Sequence, residues 1–243
     1  MTLSEQTLRQ LWPQGDSRVP GLIAGMAHSS ATVFAAHGIA TPLLAAHVMA
    51  QISHECGAGR DVVEKLNYSA GRMMQVWPSR FPTMESAQPY VGNPRALANK
   101  VYNGRMGNAA GSDDGWRFRG RGAVQTTGRD GYRRLAAATG LDVVGNPDLV
   151  NDPAHFLACG VADFIHCGCL PFAQADDVLN VTRRLNGGTI GLAERKAWLV
   201  RWKAALRDQP TLPAITSPPP PPPAQPSRFS TFMAALVAAL RRG

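Results

Sequence analysis

The N-terminus lacks the cationic start and the apolar core of a secretory signal peptide. It begins instead with a short amphipathic pattern that predicts a helix from about Ser4. We therefore expect synthesis in the cytoplasm, so that any target beyond the membrane is reached only after release into the periplasm. The sequence also lacks an internal repeat.

Cysteine is scarce, with four residues, three of which (Cys159, Cys167 and Cys169) lie within eleven positions. Their spacing is awkward for a disulfide and matches no common zinc pattern, so we expect free thiols. His54-Glu55 suggests a zinc protease, but Gly59 stands where the second histidine of that motif would lie. We expect neither a metal nor a cofactor.

Acidic residues are few, with 17 Asp and Glu against 25 Lys and Arg and a net charge of +8. This excess favours an anionic partner, which could be nucleic acid, anionic lipid or an acidic bacterial wall. Hydrophobic residues make up 44% of the chain, enough for a packed core.

Proline divides the chain near residue 208. Residues 1–208 are predicted to form one catalytic domain, and residues 209–227 form a Pro-rich linker with six consecutive prolines. Residues 228–243 are predicted to be a short apolar and cationic helix, too short to span a bilayer. This helix either contacts a membrane surface or docks on the domain or a partner.

Residues 1–208 are predicted to be mostly helical. Thr41-Pro42 is a favourable helix start, and Gly57 and Gly59 should end that helix near Glu55. Glycine-rich and aromatic segments at 67–76 and 116–127 predict a small sheet or an irregular lobe. Further helices are predicted at 130–139, 153–166, 174–185 and 191–207.

Two glutamates are the candidate acid–base pair. Glu55 falls at the end of an apolar helix, where the negative end of the dipole disfavours an ionised carboxylate, as a proton donor requires. Glu64 follows nine residues later, beyond a glycine-containing loop, in a position expected to be more solvated. The competing interpretations are an ordinary exposed glutamate for Glu55 and a surface ion pair for Glu64.

Aromatic and basic residues alternate from Trp116 to Arg121, which predicts a strand with one aromatic face and one basic face. Aromatic faces stack on sugar rings and arginine binds carboxylates or acetamido oxygens, although the same composition also suits nucleic acid. Asn186, before two glycines, is either a plain turn residue or a holder of an N-acetyl group.

Six segments together resemble glycoside hydrolase family 19, in the branch that contains bacterial chitinase-like enzymes and phage endolysins. They are AQISHECG (50–57), EKLNYSA (64–70), WPSRFP (77–82), NKVYNGRMGN (99–108), GWRFRGRGAVQTTGR (115–129) and TRRLNGG (182–188). The resemblance implies an α+β, mostly α-helical, lysozyme-like fold with two lobes and a substrate cleft.

The resemblance also implies residue roles in an inverting hydrolysis. Glu55 would be the general acid, Glu64 the general base, and Thr127 would orient the attacking water. The residues expected to bind the sugar chain are Tyr68, Gln125, Asn186, Arg195 and, from its aromatic face, Trp116.

These observations predict an endolysin-type glycosidase that cleaves β-1,4 bonds of peptidoglycan, acting as a monomer on the cell wall. A chitinase acting on chitin oligomers is the alternative. A non-catalytic wall-binding module on the same scaffold is a third possibility, and we expect no nucleic acid partner.

Overall fold

The computed structural model describes residues 1–208, which form twelve α-helices and two 3-10 helices. The α-helices are α1 (Glu5–Leu11), α2 (Leu22–Ala36), α3 (Pro42–Glu55), α4 (Ala70–Val76), α5 (Met84–Ala87), α6 (Pro94–Tyr102), α7 (Asp114–Arg117), α8 (Arg129–Thr139), α9 (Phe156–His166), α10 (Leu170–Gln174), α11 (Val178–Asn186) and α12 (Leu192–Leu206). The 3-10 helices are Gln88–Tyr90 and Pro147–Asn151. In these residues β-structure is limited to isolated bridges, so the mostly helical expectation is confirmed.

The chain divides into two compact units. Up to residue 208, the first unit contains residues 1–62, 122–124 and 149–208, and the second contains 63–121 and 125–148. The predicted Pro-rich linker (209–227) and C-terminal helix (228–243) lie outside the described residues. No helix within residues 1–208 is long and apolar enough to cross a membrane.

Helix α3 is the centre of the first unit. The Thr41 hydroxyl caps its N-terminus by accepting the N–H of Leu44, and Pro42 occupies the first turn, as predicted. Every residue from Leu44 to Glu55 is buried, and α12 packs along the helix. Because α3 is enclosed on all sides, its polar side chains must find partners inside the unit.

Ser53 of α3 joins three parts of the first unit. Its hydroxyl oxygen accepts hydrogen bonds from the indole N–H groups of Trp12 and Trp202, both at 2.8 Å. The same hydroxyl donates to the carbonyl of Met49 at 2.6 Å. This arrangement satisfies all three buried groups and fixes the rotation of α3 about its axis.

The second unit is built from short helices and long connections. Asp114 of α7 forms a bidentate ion pair with Arg129 at the start of α8. Antiparallel bridges join Val63 to Arg121 and Arg121 to Thr126. These contacts hold the segment around Gly120 in place without a sheet.

Several predicted elements differ from the structure. The strand expected from Trp116 to Arg121 is wrong: Trp116 and Arg117 belong to α7, and within this segment only Arg121 forms a β-bridge. The arginine side chains also bind within the unit instead of lining one face. Arg117 donates to the carbonyls of Val144 and Gly145, and Arg121 pairs with Asp148. Of the segment 67–76, residues from Ala70 onward form α4, capped by Ser69.

The helix predicted at 174–185 begins only at Val178, as α11, and Gln174 is instead the last residue of α10. Asp176 lies between them with a φ of 56°. Its carboxylate accepts hydrogen bonds from Lys203 and lies 2.8 Å from Nε2 of His47. Helix α2 was not predicted, because its N-cap is Gly21, which supplies no side-chain cap.

Candidate active site

Glu55 is the last residue of α3, as the sequence predicted. The helix ends there because Gly57 adopts a left-handed φ of 56°. The Glu55 side chain is buried, with 7% of its surface exposed. The interpretation of Glu55 as an ordinary exposed glutamate is therefore wrong.

Glu55 and three neighbours form a group that we call the Glu55 cluster: Glu55, Gln51, Thr182 and Arg195. The buried guanidinium of Arg195, on the first turn of α12, donates to the carboxylate of Glu55 and to the amide oxygen of Gln51. Gln51 lies one turn before Glu55, on the same face of α3. Its amide in turn lies 3.4 Å from the hydroxyl of Thr182.

This cluster gives Arg195 a direct partner that the sequence did not suggest. Arg195 was expected to bind sugar, but its side chain is 1% exposed and contacts Glu55. The guanidinium of Arg195 therefore gives the buried Glu55 side chain a cationic partner inside the first unit. Whether Arg195 also contacts a sugar remains a prediction.

Asn186 is the last residue of α11 and is buried. Its amide N–H donates to the carbonyl of Ile190 at 3.1 Å, and Gly187 follows with a φ of 72°. The side chain therefore holds the turn that precedes α12. Its expected role toward an N-acetyl group remains a prediction.

Glu64 belongs to the second unit and is buried, with 6% of its surface exposed. Its backbone N–H donates to the carbonyl of Gly120 at 2.8 Å. Its carboxylate accepts the hydroxyl of Tyr102 on Oε1 at 2.6 Å and the N–H of Gly120 on Oε2 at 3.1 Å. The expected solvated loop and surface ion pair are both wrong, because α6 and the Gly120 segment enclose this carboxylate.

Burial raises the pKa of Glu64 above its ordinary value. The hydrogen bonds from Tyr102 and Gly120, followed by the charges of Arg119 and Arg121, lower that pKa, but burial prevails. Such a carboxylate binds a proton more readily than one in water. This property suits a group that must take a proton from water.

Thr127, Gln125 and Glu64 all lie beside Gly120. A Cβ placed on Gly120 would be 3.1 Å from Oε1 of Gln125, 3.3 Å from Cβ of Glu64 and 3.3 Å from Oγ1 of Thr127. The Thr127 hydroxyl donates to the carbonyl of Gln125 at 2.9 Å. Gln125 itself has a φ of 59°, which is unusual for a residue with a side chain.

The predicted aromatic binding residues differ in their surroundings. Tyr68 is buried, its ring packs edge-on against Trp77, and within residues 1–208 its hydroxyl meets no hydrogen-bond partner. Trp116 is half-buried, and the guanidinium of Arg119 covers its ring at 3.6 Å. One face of the indole is therefore already occupied by a cation.

The sequence reasoning missed Tyr102, Gln51 and Thr182 as members of these groups. All three do lie in segments that resemble the family (50–57, 99–108 and 182–188), which is the one signal that pointed to them. In the described part of the chain, no group of His, Cys, Asp or Glu could hold a metal ion, and no disulfide forms.

Comparison with known proteins identifies the family. A glycosyl hydrolase family 19 domain-containing protein of Haemophilus influenzae is 32% identical over 201 residues, which cover 80% of this chain and 92% of that protein. No family profile matches the chain.

Two solved structures share the fold. Chitinase C of Streptomyces griseus has 19% identity and a TM-score of 0.53, covering 84% of this chain and 92% of its own. A bacterial family 19 chitinase has 20% identity and a TM-score of 0.53, covering 85% and 95%. With its homologue in Haemophilus and its lysozyme-like helical fold, the chain belongs to glycosyl hydrolase family 19 and is a glycosidase.

Proposed function

We propose that this glycosidase cleaves the β-1,4 glycan of peptidoglycan with inversion at the anomeric carbon, using Glu55 as acid and Glu64 as base. The observation that carries the chemistry is that both carboxylates are buried and each is held by oriented donors. Ordinary surface glutamates are not held in this way. Paired carboxylates with separate surroundings are the usual machinery of glycoside hydrolysis.

In the proposed acid step, Glu55 carries a proton when the polymer is bound and gives it to the glycosidic oxygen as the bond breaks. This leaves a carboxylate on Glu55. The guanidinium of Arg195 stabilises that negative charge at the moment it forms. Gln51, on the same helix as Glu55, accepts a second hydrogen bond from the guanidinium and so fixes its orientation toward Glu55.

In the proposed base step, a water donates one hydrogen to Glu64 and the other to Oγ1 of Thr127. The Thr127 hydroxyl uses its own hydrogen on the carbonyl of Gln125, so its oxygen is left to act as an acceptor. A water that donates both hydrogens presents a lone pair to the anomeric carbon. Glu64 then takes the proton as the new bond forms.

Charge favours peptidoglycan as the substrate. The second unit, which contains Glu64, holds 12 Lys and Arg against 7 Asp and Glu, a net charge of +5. The first unit up to residue 208 holds ten of each, a net charge of zero. Peptidoglycan carries carboxylates on its peptide stems, whereas chitin is a neutral polymer, so the excess of cations in the second unit favours peptidoglycan.

Chitin is the second candidate, favoured by the two solved chitinases that share the fold. The third candidate, a non-catalytic wall-binding module, is disfavoured by the two held carboxylates.

We further propose that the enzyme acts on the wall from the periplasm after release, with residues 228–243 aiding contact with the membrane. A chain truncated after residue 208 that lyses intact cells as well as the full chain would remove this last proposal.

The test is mass spectrometry of fragments released from Gram-negative peptidoglycan, after borohydride reduction of the new ends. The full chain, Glu55→Gln and the matched control Glu194→Gln are compared, with chitin oligomers as a parallel substrate. Glu194 is an exposed acid in the first turn of α12. We expect reduced muramic acid ends from the full chain and from Glu194→Gln, and a loss of about 10³-fold in Glu55→Gln.

The outcomes separate the three candidates. Cleavage of chitin oligomers alone would make the enzyme a chitinase, and cleavage of neither polymer would favour the binding module. Full activity in Glu55→Gln would remove the assignment of the acid. Raising the salt concentration should raise KM on peptidoglycan but leave KM on chitin oligomers unchanged. Salt screens the attraction between the protein and the charged peptidoglycan, whereas chitin oligomers carry no charge to screen.

A further inference from the structure

We propose that Tyr102 is a positioning residue of the hydrolytic reaction: its hydroxyl holds the Glu64 carboxylate ionised and in one orientation while that carboxylate receives a proton from water. This inference rests on the proposed role of Glu64 as base. It adds a residue that does not itself contact the reacting atoms.

The geometry fixes both oxygens of the carboxylate. Tyr102 donates to Oε1 at 2.6 Å, within the short range typical of a hydrogen bond to a charged oxygen. Gly120 donates its N–H to Oε2 at 3.1 Å. With one donor on each oxygen, the carboxylate plane cannot rotate without losing a bond, and one lone pair on each oxygen remains for a water.

The electrostatic balance requires such a donor. Burial raises the pKa of Glu64, and the hydrogen bond from Tyr102 is the largest influence that lowers it. Burial, reinforced by the negative charge of Glu64, raises the pKa of Tyr102 well above its ordinary value. The phenol therefore keeps its proton across the working pH range and remains a donor.

The surroundings of Tyr102 separate the role of its hydroxyl from the role of its ring. Tyr102 lies at the end of α6, on the buried side of the helix with Leu97, Ala98 and Val101, and is 0% exposed. The amide of Asn108 donates to its carbonyl at 3.1 Å, which fixes the backbone. Phenylalanine would satisfy this packing, so the hydroxyl is explained by its bond to Glu64.

Tyr132 provides a matched control within the same unit. It is also 0% exposed, and its ring packs against Phe118 at 5.3 Å. Its hydroxyl donates to the carbonyl of Arg119 at 3.0 Å instead of to a carboxylate. Tyr132→Phe thus removes one buried phenol hydroxyl without removing a bond to Glu64.

The first experiment is a carbon-13 NMR titration of glutamate side-chain carboxyls in the full chain. The chain has five glutamates, so Glu64→Gln suffices to assign the Glu64 signal. We expect Tyr102→Phe to raise the titration midpoint of Glu64 by about one pH unit, and Tyr132→Phe to leave it in place. An unchanged midpoint in Tyr102→Phe, or equal changes in the two variants, would overturn the inference.

A second substitution guards against a folding defect in Tyr102→Phe. Replacing Tyr102 by 3-fluorotyrosine keeps the ring and makes the hydroxyl a stronger donor. The Glu64 midpoint should then move downward, opposite to the change in Tyr102→Phe. Movement in the same direction would show that disturbed packing, and not the hydrogen bond, controls the carboxylate.

The third measurement is kcat against pH on peptidoglycan. In Tyr102→Phe the acidic limb should move upward by the same amount as the NMR midpoint, so that most of the lost activity returns at higher pH. A uniform loss at every pH would overturn the positioning role. Full activity in Glu64→Gln would instead overturn the proposed base, while the NMR result would still report on the Tyr102–Glu64 bond.

Discussion

The two units hold their buried glutamates in different ways. In the part of the first unit up to residue 208, which has no net charge, Glu55 at the end of a buried helix is paired with a cation, Arg195. In the second unit, which carries a net charge of +5, Glu64 is held by two neutral donors, the Tyr102 hydroxyl and the Gly120 N–H. The second unit thus places none of its 12 Lys and Arg residues in direct contact with the Glu64 carboxylate.

This difference separates two requirements of a carboxylate. A cation in contact neutralises the charge, which suits a group that is left negative after giving away a proton. Neutral donors orient the oxygens without neutralising them, which suits a group that must attract a proton. Arg119 and Arg121 of the second unit make no direct contact with Glu64, and their charges act on its carboxylate from a distance.

The largest effect is expected from removing the carboxylate of Glu64 in the second unit. Glu64→Gln should lower kcat by about 10²–10⁴-fold, because an amide cannot take the proton from water. The matched control is Glu85→Gln, an exposed acid of α5 in the same unit. The activity of both variants is measured by the release of reducing ends. Equal activity of the two variants would exclude Glu64 as the base.

The next largest effect is expected from removing Arg195, the cation that contacts Glu55 in the first unit. Arg195→Met should lower the free energy of unfolding by about 3–5 kcal/mol, because a buried carboxylate is left without its cation. Lys196→Met, the exposed neighbouring cation, should have little effect. Denaturant unfolding measures the change.

A double variant sharpens this result. Combining Arg195→Met with Glu55→Gln should recover part of the lost stability, because the uncompensated charge is gone. If the decreases in the free energy of unfolding of the two single variants simply add in the double variant, the ion pair does not stabilise the first unit. The same cycle on Glu64 and Tyr102 should give a smaller coupling energy, since a neutral donor is involved.

The smallest effect concerns the backbone beside Glu64. Gly120→Ala should lower kcat/KM about tenfold, because a Cβ there would press on Gln125, Glu64 and Thr127 at 3.1–3.3 Å. Gly71→Ala, in α4 of the same unit, meets open space and should leave activity unchanged while raising stability slightly. An active Gly120→Ala would mean that these neighbours move aside without consequence.

Local signals explain which parts of the fold the sequence predicted. The bounds of α3 follow from Thr41, Pro42 and Gly57, each of which acts on its own neighbours in the chain. Helix α8 ends at Gly140 for the same reason, with a left-handed φ of 74°. The strand predicted after Trp116 failed because a period of two in the sequence says nothing about carbonyls 27 residues away that bind Arg117.

The candidate site was predicted in its residues but not in its contacts. The six segments resembling the family contained both glutamates, whereas the pairing of Glu55 with Arg195 joins positions 140 residues apart. No local pattern carries such a contact. Tyr102 was missed for a related reason, since a tyrosine on the apolar face of a helix looks like core until its hydroxyl is seen on Glu64.

The separation of Glu55 and Arg195 along the chain has a consequence during protein synthesis. Helix α3 leaves the ribosome long before α12, so the carboxylate of Glu55 must wait for its guanidinium until almost all of residues 1–208 have been made. A nascent or clipped chain that ends before α12 holds both glutamates but lacks the helix that packs along α3. A glycosidase built in this way would acquire its activity in one late step, so that unfinished chains stay inactive.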